Sequence, residues 1–192
     1  MRGEICMPAE NITPAKNSSI PHNSSIRRIT EWKQKMIAMM LEDEDITRLL
    51  YYNSPDALSR PKLTEDQIYE LVDTGSSKRC IYPTRYREDV IMDQMSFIGV
   101  SVSNFIPQES WRQFSQRYSM GYLYFYILVD TAIMDVEEGQ RQDLLLQKIY
   151  DIFQGSNEFG MGEIKEGNLT ELWDQNNKFG GWTLMIKVID LM

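Results

Sequence analysis

The chain has 192 residues, of which 42% are hydrophobic and 25% charged, and a formal net charge of −8. That is one ordinary globular domain's worth of apolar material with a tail, not a fibrous or disordered composition. The acidic balance speaks against a general nucleic-acid binder, whose affinity comes from Lys and Arg on phosphates. A lone histidine, His22, removes Ser-His-Asp and Cys-His catalysis and most zinc sites.

Residues 1–23 hold Pro8, Pro14 and Pro21 among scattered Asn, Ser and Lys, without a period, and are expected to form a flexible arm. Arg2, Glu4 and Glu10 leave no room for the apolar centre of a signal peptide. No later run approaches the roughly 18 apolar residues of a membrane helix. Assembly in a cytoplasm, with no membrane partner, is therefore expected. The two cysteines, Cys6 and Cys80, are too few for a disulfide framework. Lys78 and Arg79 before Cys80 could activate its thiol, but an inert thiol at a strand start is the simpler reading.

Residues 24–89 read as a helical region. Ser24 or Ser25 caps a first helix whose stripe takes in Ile26, Ile29, the stem of Lys33, Met36, Ile37, Met40 and Leu41. The run Glu42-Asp43-Glu44-Asp45 interrupts the stripe, and Ile46, Leu49 and Leu50 resume it, as one bent helix or two short ones. Thr64 and Gln67 form a capping box for a further helix, stopped at Gly75.

Residues 90–192 read as an α+β domain: a mixed or antiparallel sheet of about four strands packed by one long helix. From Met95 to Ile106, Ile98, Val100 and Val102 alternate with Gly99, Ser101 and Ser103, a half-buried strand ended by Pro107. From about Arg117 to Asp130, Leu123, Phe125, Ile127 and Val129 face one way and Tyr122, Tyr124 and Tyr126 the other. Such a strand is covered on both sides in the finished assembly, its tyrosines lying either beneath a helix or in a subunit seam. Asp135 and Glu138 pattern as the capping box of a long helix with Leu145, Ile149, Ile152 and Phe153 inward and Gly155 past its end. Residues 155–168 read as a loop, Leu169–Trp173 as a short strand, and Trp182, Leu184, Ile186 and Val188 as one face of a closing strand.

No nucleotide-binding glycine motif is present. The acidic run Glu42–Asp45 has no metal-loop spacing and fits a solvated helix corner better than a divalent-cation site. The tyrosine strand has no cation near its centre in sequence, which weighs against base stacking. No catalytic residue, cofactor or metal is therefore assigned. The segment from Gly155 to Gly181 carries Phe159, Met161, Leu169, Trp173 and Phe179, more large apolar groups than a solvated loop needs. Phe159, Met161, Trp173 and Phe179, with Tyr122, Tyr124 and Tyr126, are the candidate interface residues. The competing reading is a hairpin with Leu169 and Trp173 tucked into the core.

The succession of a half-buried strand (Phe97–Phe105), a strand written for two covered faces (Gly121–Val129), an amphipathic helix (Gly139–Gln154) and a strand ending Ile186-Lys187-Val188-Ile189-Asp190 resembles the lambda-type tail terminators of long-tailed bacteriophages. The resemblance spans about residues 90–192 and is one of pattern; residues 1–89 are much longer than the matching region of compact members. It implies a structural virion protein of the neck: a homo-oligomeric ring, usually a hexamer, that caps the tail tube protein, joins the head connector proteins and lets genome DNA pass its lumen without specific binding. Another head–tail connector or completion protein, a small acidic cytosolic binding module of the adaptor or immunity type, and a carboxylate-only metal enzyme are the alternatives.

Overall fold

Ser25 opens α1 (Ser25–Glu42), and the computed structural model describes residues 25–85, 93–107, 118–160, 162–164 and 167–191. The arm expected over residues 1–23 lies outside the described residues, as does Met161. The buried line of α1 is Trp32, Met36 and Met40, repeating every four residues. Lys33 is not on that line: its Nζ donates to the carbonyl of Pro83 at 2.8 Å. The acidic run splits the helices in two. Asp43 is extended (φ −84°, ψ 117°), and its Oδ1 accepts from the N–H groups of Asp45 and Ile46, each at 2.9 Å. It thereby satisfies two orphan donors of α2 (Glu44–Tyr51), whose first-turn Glu44 and Asp45 also suit the helix dipole. After a 3-10 turn at Ala57–Ser59 comes α3 (Glu65–Glu70), held by the Thr64–Gln67 capping box and burying none of its own residues.

The strands are β1 (Ile81–Tyr82), β2 (Ser96–Pro107), β3 (Tyr118–Asp130), β4 (Asp135–Val136), β5 (Gly139–Gln140), β6 (Gly167–Asp174) and β7 (Phe179–Leu191), with α4 (Arg141–Phe153) between β5 and β6. The five-stranded sheet has the order β1-β2-β3-β7-β6. Only β1 is parallel to its neighbour. The fold is thus α+β with a mixed sheet and an N-terminal helical extension.

One face of the sheet carries Ile98, Val100 and Val102 of β2, Leu123, Phe125, Ile127 and Val129 of β3, and Leu184, Ile186 and Val188 of β7, all buried. Alternation places them together. The buried stripes of α1, α2 and α4 pack on them in one hydrophobic cluster. The helices of the N-terminal region therefore share a core with the sheet, and β1 comes from that same region. On the other face, Tyr82, Phe97 and Phe179 pack edge to face near β1. Gly99 is required there: a Cβ at this position would lie 2.6 Å from the carbonyl oxygen of Thr84, which crosses the sheet at that point.

The expected helix cap at Asp135 is not formed. Asp135 starts the β4–β5 hairpin, its carboxylate accepts from the Gln140 side chain at 2.5 Å, and α4 begins six residues later at Arg141. Gly139, at φ +143°, lets the chain turn back there instead of continuing into a helix. Of the residues expected inward on α4, Leu145, Ile149 and Phe153 are buried and Ile152 is half-buried; Gly155 sits past its end at φ +79°, as the pattern predicts. The short strand expected over Leu169–Trp173 is present and longer, as the first arm of a hairpin. Strand β6 pairs with β7 through a turn in which Gln175, Asn176 and Asn177 all have positive φ, a conformation that Asn tolerates best.

Candidate functional site

Two of the expected interface anchors are core residues. Phe159 is 1% exposed; its ring meets Trp32 edge-on at 6.1 Å and Phe153 at 5.8 Å. Phe179 is fully buried and packs on Phe97 at 5.4 Å. The misreading has a physical cause: the loop after α4 folds back on α1. Gly155 N–H donates to the Ile164 carbonyl and Ile164 N–H to the Ser156 carbonyl, each at 2.9 Å, which turns Phe159 inward. The Lys35–Glu158 ion pair fastens the same loop to α1.

Trp173 does lie at the surface, 49% exposed, as does Leu169 at 45%; neither is tucked into the core as the hairpin reading expected. The inner edge of the Trp173 ring covers Gly180 on β7, where an added Cβ would lie 2.6 Å from it. Its indole N–H donates to Glu171 at 2.8 Å. The indole thus takes the place of the side chain that Gly180 lacks and leaves its outer face to solvent.

Both residues stand on β6, which is exposed along its whole length except at Leu172. The strand is paired to β7 on one side, and among the described residues nothing pairs with its other side. Edge strands normally carry a bulge, a Pro or an inward charge that prevents pairing. The register of β6 with β7 is unbroken over eight residues and the strand holds no Pro; its one charge on the helix-covered face, Glu171, is held by the Trp173 indole N–H. Beside it runs a groove of about 340 Å³ lined by Asp143, Leu146, Gln147 and Tyr150 of α4 with Gly167, Leu169 and Leu184.

The tyrosine ladder is the second surface. Tyr122 and Tyr124 are half-buried and Tyr126 is 7% exposed. Tyr124 and Tyr126 stack at 6.0 Å with an 8° interplanar angle, and Tyr122 meets Tyr124 edge-on at 6.3 Å. Cations do reach this ladder, contrary to the reading from sequence. Lys187 of β7 stands opposite Tyr122, and the Arg85 guanidinium lies 5.0 Å over the Tyr126 ring. Both come from strands or loops distant in the chain, so no local pattern shows them. Ser101 and Ser103 of β2 and Thr183 and Met185 of β7 share this face by register.

The acidic run is occupied structurally. Asp43 caps α2, Asp45 pairs with Lys148 of α4 at 2.5 Å, and Glu44 pairs with Lys62. The hydrogen bond from Lys148 to Asp45 raises the lysine's pKa. Among the described residues no three His, Cys, Asp or Glu side chains gather as a metal set. Burial pushes the Cys80 thiol well above its ordinary range, so it is not activated by Lys78. What the described surface offers is an open strand edge, an apolar groove and an aromatic face, which is the chemistry of protein contact.

Sequence reasoning missed Arg141. It is fully buried at the first position of α4, and its guanidinium donates to four carbonyls: Ile133 at 2.8 Å, Leu49 at 2.6 Å, Tyr52 at 2.7 Å and Ser54 at 2.9 Å. A cation opening a helix opposes the helix dipole, and that was the available signal.

No curated protein and no solved structure matches the chain. The YomW family model aligns with residues 43–188, from the Asp43 cap to Val188 in the last part of β7. On that match the chain belongs to the YomW family, a phage-associated family.

Proposed function

We propose that the protein is a structural subunit of the phage neck, which self-associates into a ring that closes the tail tube and joins it to the head, as a tail terminator does. The observation that carries this reading is β6: eight residues of unbroken strand, exposed on both faces and, among the described residues, paired on one side alone. A lone subunit gains nothing from such an edge, and a ring subunit needs one. The phage-associated family supports it, as does the order of main-sheet strands and helix over Ser96–Leu191, β2 and β3 before α4 and β6 and β7 after it, with the β4–β5 hairpin inserted before the helix. The net charge of −8 suits a channel that DNA traverses without adhering. The partners are the tail tube protein on one side and the head connector on the other.

The test is light scattering and negative-stain microscopy of the purified protein, alone and mixed with tail tubes. The expected result is a closed ring of several copies seated on one end of the tube. A protein that stays monomeric at high concentration and leaves the tubes bare would overturn the proposal in favour of the small acidic binding module.

A further inference from the structure

The geometry points to a particular seam: β6 of one subunit adds as an antiparallel strand to the outer edge of β2 in the next copy, beyond Gly99. This rests on the ring reading and names the surfaces that would close it. Three observations meet here.

The first is that, among the described residues, β2 also has a largely unpaired outer edge. Its partner β1 covers only Ile98 and Gly99. Among the described residues no strand lies beside Val100–Pro107. The straight part of that edge is Val100–Ser103, before the register shift at Ser103/Ile106.

The second is direction. Strands β2, β3, β7 and β6 alternate in sense, so β2 and β6 run opposite ways at the two sides of the sheet. Rotation about an axis parallel to the strands preserves each strand's direction. The next copy's β2 therefore arrives antiparallel to β6, with the same face of the sheet toward the axis. The contact is heterologous and closes by rotation, as a ring requires.

The third is chemistry. On the helix-covered face β6 presents Leu169, Glu171 and Trp173, and β2 presents Val100 and Val102; on the opposite face Asn168, Thr170 and Leu172 would meet Ser101 and Ser103. Leu169 and Trp173 join the valines, with the Glu171 carboxylate between them held by the Trp173 indole N–H, and Asn168 and Thr170 join the serines. Val100–Pro107 holds no charged residue, so Glu171 and Asp174 of β6 meet no carboxylate there. Two β6 strands paired with each other would instead crowd four carboxylates onto one short ribbon.

The test is disulfide trapping in a Cys6→Ser background; buried Cys80 is retained. Thr170→Cys is combined with Ser101→Cys in one variant and with Ser103→Cys in another. The two partners bracket the register, since a one-residue slip would bring the wrong face. Within one subunit the sites are three strand spacings apart, about 14 Å, too far for an internal bridge. The expected result is a ladder of covalent oligomers from at least one double variant and none from any single variant. A covalent dimer from Thr170→Cys alone means that β6 pairs with itself and overturns the proposal. Rings in the microscope with no ladder overturn the seam and leave the ring reading standing; a monomer with no rings removes both. Hydrogen exchange on the unaltered protein gives an independent readout: on assembly, β6 and Val100–Ser103 should become protected together, and protection of β6 alone would count against the seam.

Discussion

Arg141 shows how one side chain can join distant parts of a chain. Its guanidinium gathers the carbonyl ends of α2 and the turn after it to the start of α4. Burial pulls its pKa down to about 10, so it remains charged at neutral pH, its charge balanced by carbonyl dipoles. Each buried carbonyl that loses its donor costs about 1–3 kcal/mol. Arg141→Met should therefore destabilise by at least about 3 kcal/mol in urea denaturation, and Arg141→Lys should recover only part, because an ammonium cannot span the fork. The folded state releases this proton at lower pH than the unfolded chain, so stability is affected only above about pH 10, where it rises with pH; the wild-type–variant difference should be flat from about pH 6 to 9. Phe159 makes the complementary case. Phe159→Ala should cost about 3–5 kcal/mol by the same measurement, as emptying an aromatic core site does. A loss under about 1 kcal/mol would return Phe159 to the surface role that its sequence context suggested.

At the scale of elements, α4 and β6 differ in what binds them. In α4, Leu145→Ala or Ile149→Ala should destabilise by about 2–5 kcal/mol, since both are fully buried against the sheet; a smaller loss would mean that the stripe faces a partner. Replacing Leu169 of β6 by Ser should shift the subunit's melting temperature little, because its side chain is nearly half exposed, and should weaken assembly measured by light scattering. These elements also show what was legible in the sequence. Alternation in β2 and β3 and the inward stripe of α4 could be read directly, because one face of each is apolar and the period is regular. The start of α4 could not, because Asp135 and Glu138 satisfy the spacing of a cap while Gly139 directs the chain into a hairpin. The place of Phe159 could not either: an aromatic between glycines looks the same whether the loop folds inward or out, and only the loop's hydrogen bonds to Ile164 decide it. The cations beside the tyrosines were hidden because sheet register, not chain proximity, brings Lys187 to Tyr122.

For the whole molecule, the decisive feature is that β7, which follows every other strand in the chain, lies inside the sheet. It pairs with β3 along its entire length and carries β6 on its other side. Removing residues 179–191 would leave β6 unattached and uncover the apolar face beneath α4. Such a truncation should show no cooperative unfolding transition by circular dichroism; a cooperative transition would mean that the helices and β1–β3 fold by themselves.

That position of β7 also sets an order of events at the ribosome. The helices emerge first, with Trp32, Met36, Met40, Leu49 and Leu50 written for a surface that does not yet exist. At about 5–20 residues per second, the stretch from β2 through β7 takes on the order of ten seconds to synthesise. For that interval the nascent chain carries a half-made sheet whose fourth position, between β3 and β6, is vacant, and any free strand can enter it. Closing such non-local pairings is intrinsically slow. The yield of native subunit should thus depend on how fast translation reaches Leu191 and on what holds the chain meanwhile, a kinetic vulnerability that no measurement of the finished fold would reveal.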